Sequence, residues 1–191
     1  MSPVGPGPVP GNPAPGMHLP GWVHPDELTW LRATAATMGS VTEIGSMYGR
    51  SAFALLGGCP GPVYCVDPWD DPGRYRSFLD NCGHFPNLRA IRGRSPHAAD
   101  QVPDVDMVFI DGNHEHTAVL ADIQAWLPKT RKLICGHDYN HAGYPGIRVV
   151  VDAIFGDRVR PATGDDWTRS ISIWAVDLEG APPDRSSRRL S

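Results

Sequence analysis

Residues 105–139, VDMVFIDGNHEHTAVLADIQAWLPKTRKLICGHDY, hold two clusters of side chains that bind cations and move protons: Asp111 with His114, and His137 with Asp138. Carboxylates are hard oxygen donors, and imidazoles serve both as metal ligands and as general bases near neutral pH. Whether the two clusters act together depends on the elements between them. The apolar run Val105–Ile110 reads as a buried strand, and a polar turn carrying Asp111 and His114 follows it. An amphipathic helix comes next, then a second strand, Lys132–Cys135, that ends at His137 and Asp138. If the two strands pair in parallel, about 5 Å apart, Asp111 and Asp138 converge at their carboxyl ends, where open α/β sheets bind ligands. That is a candidate divalent-metal site.

The rest of the chain supplies the sheet. Leu28, Leu31, Ala35 and Met38 share one face of a helix that opens at Pro25, Asp26 and Glu27 and stops at Gly39. A strand at Val41–Ile44, a glycine-bearing turn, a helix from near Gly49 and a strand at Val63–Val66, ending at Asp67, make a right-handed βαβ unit. A polar, aromatic segment (Asp70–Phe85), a strand (Leu88–Arg92) and a short helix (Pro96–Gln101) lead to the central stretch. Beyond it lie a helix at Ile147–Phe155 and strands at Arg158–Pro161 and Ile171–Val176. Only the loop containing Asp165, Asp166 and Trp167 separates these two strands, so they should form an antiparallel hairpin at the sheet edge.

Composition narrows the function. The chain has 191 residues, 41% hydrophobic and 20% charged, with net charge -4, which suits one domain and gives no basic footprint for nucleic acid. The first twenty residues are dominated by proline and glycine and read as an extended or disordered leader. Residues 180–191 read as a disordered tail, which leaves 21–179 as the folded domain. No basic segment precedes an apolar core, and no run reaches the roughly 18 apolar residues of a membrane span, so neither a signal peptide nor a span is expected. Cys59, Cys65, Cys82 and Cys135 show no C-x-x-C spacing and suit reduced thiols in a cytoplasmic setting.

The turn GSMYG, Gly45–Gly49, is the other piece that carries chemistry. A dinucleotide fingerprint needs a middle glycine so that backbone approaches a pyrophosphate, and Met47 stands there instead. This argues against NAD or FAD. A ligand without phosphates still fits, held through an amine and a ribose diol by Glu43 and Asp67 at the ends of the first two strands; S-adenosylmethionine meets that description. The alternative is that Gly45 and Gly49 only allow a tight strand-to-helix turn.

TEIGSMYGRSA, VYCVDPWDD, FIDGNHEHTAVLADIQAWLP, CGHDYNHAGYPGIRVVVDAIFG and SISIWAV, in this order from Val41 to Val176, resemble successive motifs of class I S-adenosylmethionine-dependent methyltransferases. Within that class the chain is most similar to a small bacterial group that includes metal-dependent sugar O-methyltransferases and cephalosporin-hydroxylase-like proteins. The resemblance implies a Rossmann-like, doubly wound α/β sheet of seven strands in the order 3-2-1-4-5-7-6, mostly parallel with an antiparallel last strand. It implies that Glu43, Gly45, Ser46 and Gly49 line the methionine end of the cofactor, that Asp67 binds the ribose and that Ser95 lies near the adenine. Asp111 matches the metal-binding aspartate of a D-G-x-H motif and contributes to the cofactor site. His114 matches the histidine proposed as base.

Positions 137 and 138 match an acidic pair that completes the metal site in the sugar enzymes, and here the pair is His137–Asp138. Magnesium prefers oxygen, whereas imidazole suits zinc, iron, nickel or manganese. The expected cofactors are therefore S-adenosylmethionine and a divalent ion, magnesium or manganese, on Asp111, His137 and Asp138. The expected acceptor is a small hydroxylated molecule, with homo-oligomerisation open.

Other polar residues have plainer readings. Glu115 and His116 suit a solvated surface, and Asp122 and Trp126 share a helix face for packing and local pairing. Trp69, Arg74, Tyr75, Arg76 and Phe78 read as helix packing and surface charge, or as a lid over the cofactor or a substrate wall. His141 and Tyr144 are candidates for acceptor contact or for a plain loop. Two rivals remain. GNHE and Gly136–His137 echo calcineurin-like phosphoesterases, but the early D-x-H and the G-D-x-x-D those enzymes need are missing. A catalytically inactive cofactor-binding domain would need neither Asp111 nor His114, and both are present.

Overall fold

The computed structural model describes residues 14–163 and 172–178. Its elements are α1 (Pro25–Ala35), β1 (Val41–Ile44), α2 (Arg50–Gly58), β2 (Val63–Asp67), α3 (Pro72–Cys82), β3 (Leu88–Arg92), α4 (Ser95–Ala98), β4 (Val105–Ile110), α5 (His116–Trp126), β5 (Thr130–Gly136), α6 (Pro145–Phe155), β6 (Arg160–Pro161) and β7 (Trp174–Asp177). The strands form one sheet in the order β3-β2-β1-β4-β5-β7-β6. It is parallel from β3 to β5, and β7 runs antiparallel to both of its neighbours. This is the expected fold class and strand order.

Both faces are covered, as a parallel sheet requires. Leu28 and Leu31 of α1, Leu55 of α2 and Phe78 of α3 pack with Val41, Met107 and Phe109. On the other face, Ile123 and Trp126 of α5 and Val150 and Phe155 of α6 pack with Ile44, Val108 and Ile134. All four cysteines are buried and unpaired.

The structure adds three things. Asp70–Phe85 contains a helix, because the Asp71 carboxylate accepts the Gly73 N–H and Pro72 fixes the first turn. Within the stretch expected as a leader, residues 14–20 dock onto α2. Leu19 is buried, the His18 ring meets Phe53 edge-on at 5.0 Å, and Arg50 Nε donates to the Leu19 carbonyl at 2.8 Å. Strand β6 begins at Arg160, since Gly156–Arg158 closes a 3₁₀ turn first. The loop carrying Asp165, Asp166 and Trp167, with Ile171, lies outside the described residues.

The backbone ladder runs one rung past the strand ends. Gly45 N–H donates to Val66 O at 2.8 Å, Asp111 N–H to Ile44 O at 2.8 Å, and His137 N–H to Ile110 O at 3.0 Å. Gly45, Asp111 and His137 are thereby set abreast at the point where strand order reverses. Gly45 has φ 92, and a Cβ there would lie 2.1 Å from the Asp111 carbonyl oxygen. Gly45→Ala is therefore expected to cost at least about 2 kcal/mol in urea unfolding, from left-handed strain plus the clash. Gly93→Ala, where an added Cβ meets nothing within 4 Å, should stay within roughly 0.5 kcal/mol.

Candidate active site

A cleft of about 1230 Å³ lies over the carboxyl ends of β1, β2, β4 and β5. The Gly45–Tyr48 turn, Asp67, Ser95, Asp111–His114, Asp122, His137 and Asp138 line it, and Pro20–His24 form a wall.

The turn after β1 is held by Asp67. One carboxylate oxygen accepts Met47 N–H at 3.0 Å and the other accepts Trp69 N–H at 2.7 Å, while Trp69 Nε1 donates to Met47 O at 2.8 Å. Met47 and Trp69 both have positive φ, 47 and 37, conformations that cost non-glycine residues free energy and that this clamp offsets. Trp69 is fully buried against Tyr75 and Phe78, in line with its packing reading. Gly49 has φ 94 and lies against Cys82 and Phe78, where a Cβ would come within 2.5 Å of Cys82 Sγ. It shapes the turn without lining the cleft.

Glu43 also stands apart from the cleft. It is fully buried and pairs in register with Cys65 and Phe109, so strand alternation turns it to the α1–α3 face. Burial raises its pKa to about 7, against a pull from the nearby Ser46 and Ser51 hydroxyls, and Asp111 and Asp67 add to the rise. Neither carboxylate oxygen has an aligned hydrogen bond. Ser46 and Ser51, whose hydroxyls face Glu43, do line the cleft.

Beyond Asp67, Ser95 Oγ accepts Trp126 Nε1–H at 2.8 Å, which fixes the start of α4 at the cleft edge. Asp122, read from sequence as a local partner, lines the cleft and is buried, with its pKa raised to about 6 by that burial. Glu115 and His116 are exposed.

At the centre, single donor atoms of Asp111, His114 and Asp138 all lie within 4.8 Å of one another. His114 Nε2 is 3.0 Å from Asp138 Oδ2 and 3.7 Å from Asp111 Oδ1, yet it is buried without an aligned hydrogen bond. The His114 ring stacks on Tyr144 at 4.3 Å, and Tyr144 on His141 at 4.7 Å. Asp138 itself has φ 59, which swings its carboxylate back toward β4.

His137 lies deeper. Its Nδ1 is 3.3 Å from Asp138 Oδ1 and 3.7 Å from Asp111 Oδ1, and its Nε2 is 3.0 Å from Glu27 Oε2. The group the structure gathers thus has His114 where the sequence reading had His137, with His137 behind it. Glu27 was read only as a first-turn helix residue. It is 1% exposed and 110 positions from His137, a separation at which no local sequence pattern marks a partner.

Charge organises the cluster. Asp111 and then Asp138 raise the His114 pKa to about 9, against burial. Burial would lower that of His137, but Asp111, Asp138 and Glu27 outweigh it and raise it to about 11. The Asp138 carboxyl is pushed up by burial but held far below the ordinary range by His114 and His137.

A sheet of this order with its cleft at the switch point is that of class I methyltransferases. A methyltransferase domain family matches residues 42–139, more than half of the chain, and the chain belongs to that family. No curated protein matches the chain by sequence. Among solved structures, cofactor-bound Rv0187 from MTB is similar at TM-score 0.67 and 19% identity, over 84% of this chain and 83% of that one. An O-methyltransferase from Bacillus cereus in complex with SAH gives 0.65 and 21%, over 84% of each chain. The O-methyltransferase TomG from Streptomyces achromogenes, involved in tomaymycin synthesis and bound to SAM, gives 0.63 and 16%, over 82% and 81%.

A pH prediction follows for chelator-treated protein. Both histidines have folded pKa values above the unfolded value of about 6.5, so their stabilisation is full below that pH and declines as pH rises toward 9 and 11. The urea midpoint should fall between about pH 8 and pH 9, where Glu43 and Asp122, with pKa values of about 7 and about 6, are already largely ionised, and His114→Gln should flatten that slope. A midpoint that rises over this window contradicts the assignment.

Proposed function

We propose that the chain transfers a methyl group from S-adenosylmethionine to a hydroxyl of a small molecule, a sugar or other natural product, with a divalent cation at Asp111 and Asp138. The observation that carries this reading is the convergence of Asp111, His114 and Asp138 in the cleft, abreast of the Gly45 turn. Supporting it are the SAH and SAM complexes of the similar O-methyltransferases. The net charge of -4 gives no basic footprint for nucleic acid, and no described helix is long and apolar enough to cross a membrane.

The residues present fit a cation. Asp111 and Asp138 supply carboxylate oxygens that suit a hard divalent ion, with imidazole nitrogen close by that favours manganese over magnesium, and His114 Nε2, buried beside them without an aligned partner, is left for the acceptor's proton. Asp111 and Asp138 would hold the ion, and the chemistry it would supply there is a lowered pKa of the acceptor hydroxyl.

The protein's own groups divide the remaining work. A carboxylate offers about four lone-pair sites, so Asp67 can hold the turn and still accept ribose hydroxyls. Ser46 and Ser51 offer hydroxyls to the methionine end, and Ser95 stands at the adenine end. His114 is the base. Beside two uncompensated carboxylates its ring is cationic and cannot take a proton. With their charge balanced, its pKa falls back toward about 6.5 and it becomes competent near neutral pH. Because a sulfonium is an activated donor, what remains is alignment of acceptor oxygen, methyl carbon and sulfur.

His114→Ala should lower kcat at least about 100-fold, with labelled methyl donor and a panel of sugars and phenols as acceptors. Its affinity for S-adenosylhomocysteine, by calorimetry, should stay within about threefold, as expected when a group acts mainly in the transition state. Equal loss of both would show His114 to be structural, and no binding by the wild type would overturn the reading.

A further inference from the structure

His137 occupies a place where the resemblance implies an acidic ligand, and the structure shows what accompanies it. Glu27 on α1 reaches the site across 110 positions of sequence and is 1% exposed. Its Oε1 accepts the N–H groups of Ser172 at 2.6 Å and Ile173 at 3.0 Å and the Ser172 hydroxyl at 3.3 Å. Its Oε2 accepts His24 N–H at 3.1 Å and meets His137 Nε2 at 3.0 Å. So many donors from three separate segments leave the carboxylate one position and keep it anionic.

An anionic carboxylate only accepts, so the proton between Glu27 and His137 belongs to Nε2. The opposite ring atom, Nδ1, then points at the acid pair, 3.3 Å from Asp138 Oδ1 and 3.7 Å from Asp111 Oδ1. Donors that share one ion at bonds of about 2.1 Å stand roughly 3 to 3.5 Å apart, close to the spacing seen. A carboxylate behind an imidazole that faces a cation is the usual outer partner of a histidine ligand, fixing its tautomer and raising its basicity.

We propose that Glu27 is a positioning residue for the metal site: by holding the His137 Nε2–H it presents Nδ1 as a further donor to the cation on Asp111 and Asp138. The inference rests on the metal reading above and extends it to a residue outside the family-matched segment. It also accounts for the histidine. An acidic ligand is replaced by a neutral one whose orientation is set from α1, and the donor set shifts toward manganese-like ions.

The test uses the chelator-treated full chain and manganese alone, with free ion read by electron paramagnetic resonance. Glu27→Gln, Glu27→Asp, His137→Gln and the double variant Glu27→Gln/His137→Gln are compared with wild type. Glu27→Gln should bind manganese about 10–100-fold more weakly, Glu27→Asp should recover part of the loss, and the double variant should be no weaker than His137→Gln alone. S-adenosylhomocysteine affinity should stay within about threefold in all of them, which a general loss of structure would not allow. Wild-type manganese affinity in folded Glu27→Gln overturns the proposal even if its melting temperature drops. If Glu27→Gln does not fold, an unchanged affinity in His137→Gln overturns it instead. Absence of manganese binding by the wild type overturns the metal reading itself, and this one with it.

Discussion

The site depends on one close approach, that of the Gly45 backbone to the Asp111 carbonyl. With a left-handed φ of 92 and space for no Cβ, Gly45 lets the chain leave β1 directly against the end of β4. The extra ladder rung then brings Asp111 and His137 level with it. Everything that follows is short-range: Asp67 reaches across from β2 to hold Met47, and Asp138 turns back through its own positive φ. Had β1 and β4 not been neighbours at the switch point, the glycine turn and the acid–imidazole cluster would lie in separate parts of the molecule.

Charge is the second constraint. Glu27, Asp111 and Asp138 are three carboxylates in a partly desolvated space, and the two imidazoles His114 and His137 are their only described cationic partners within salt-bridge distance. Two imidazolium protons carry the same charge as one divalent ion. The cluster can therefore exchange one for the other without changing its net charge, which avoids the large cost of burying uncompensated charge. Under the proposed function the same exchange would turn His114 from a cation into a base, making it competent only when the site is loaded.

Much of this was legible in the sequence, for identifiable reasons. The strands β1, β3 and β4 fall at the expected residues because each is a short run with clear turn signals on either side. Asp111, His114 and Asp138 were recognisable because their partners follow parallel strands one helix apart. Helix α3 was harder: only Phe78 and Cys82 are buried along it, so its apolar period is weak and its start rests on the Asp71 cap. Glu43 looked like a ligand because it is acidic and near a strand end, but the period of two that places Val41 in the core places Glu43 there as well. Residues 14–20 read as leader by composition, and their anchor, Arg50, lies some thirty positions away. Glu27 was the least visible, since its partners other than His24 are 110 to 146 positions distant.

The measurement that tests the account most directly is a crystal structure of the full chain grown with S-adenosylhomocysteine and manganese, with anomalous data at the manganese edge. The account predicts the ligand in the cleft, its thioether over the Gly45–Tyr48 turn and its ribose hydroxyls on Asp67, and one anomalous peak between Asp111 and Asp138. Ligand density away from the strand ends, or the expected ligand with an anomalous peak at a different group of residues, would contradict it.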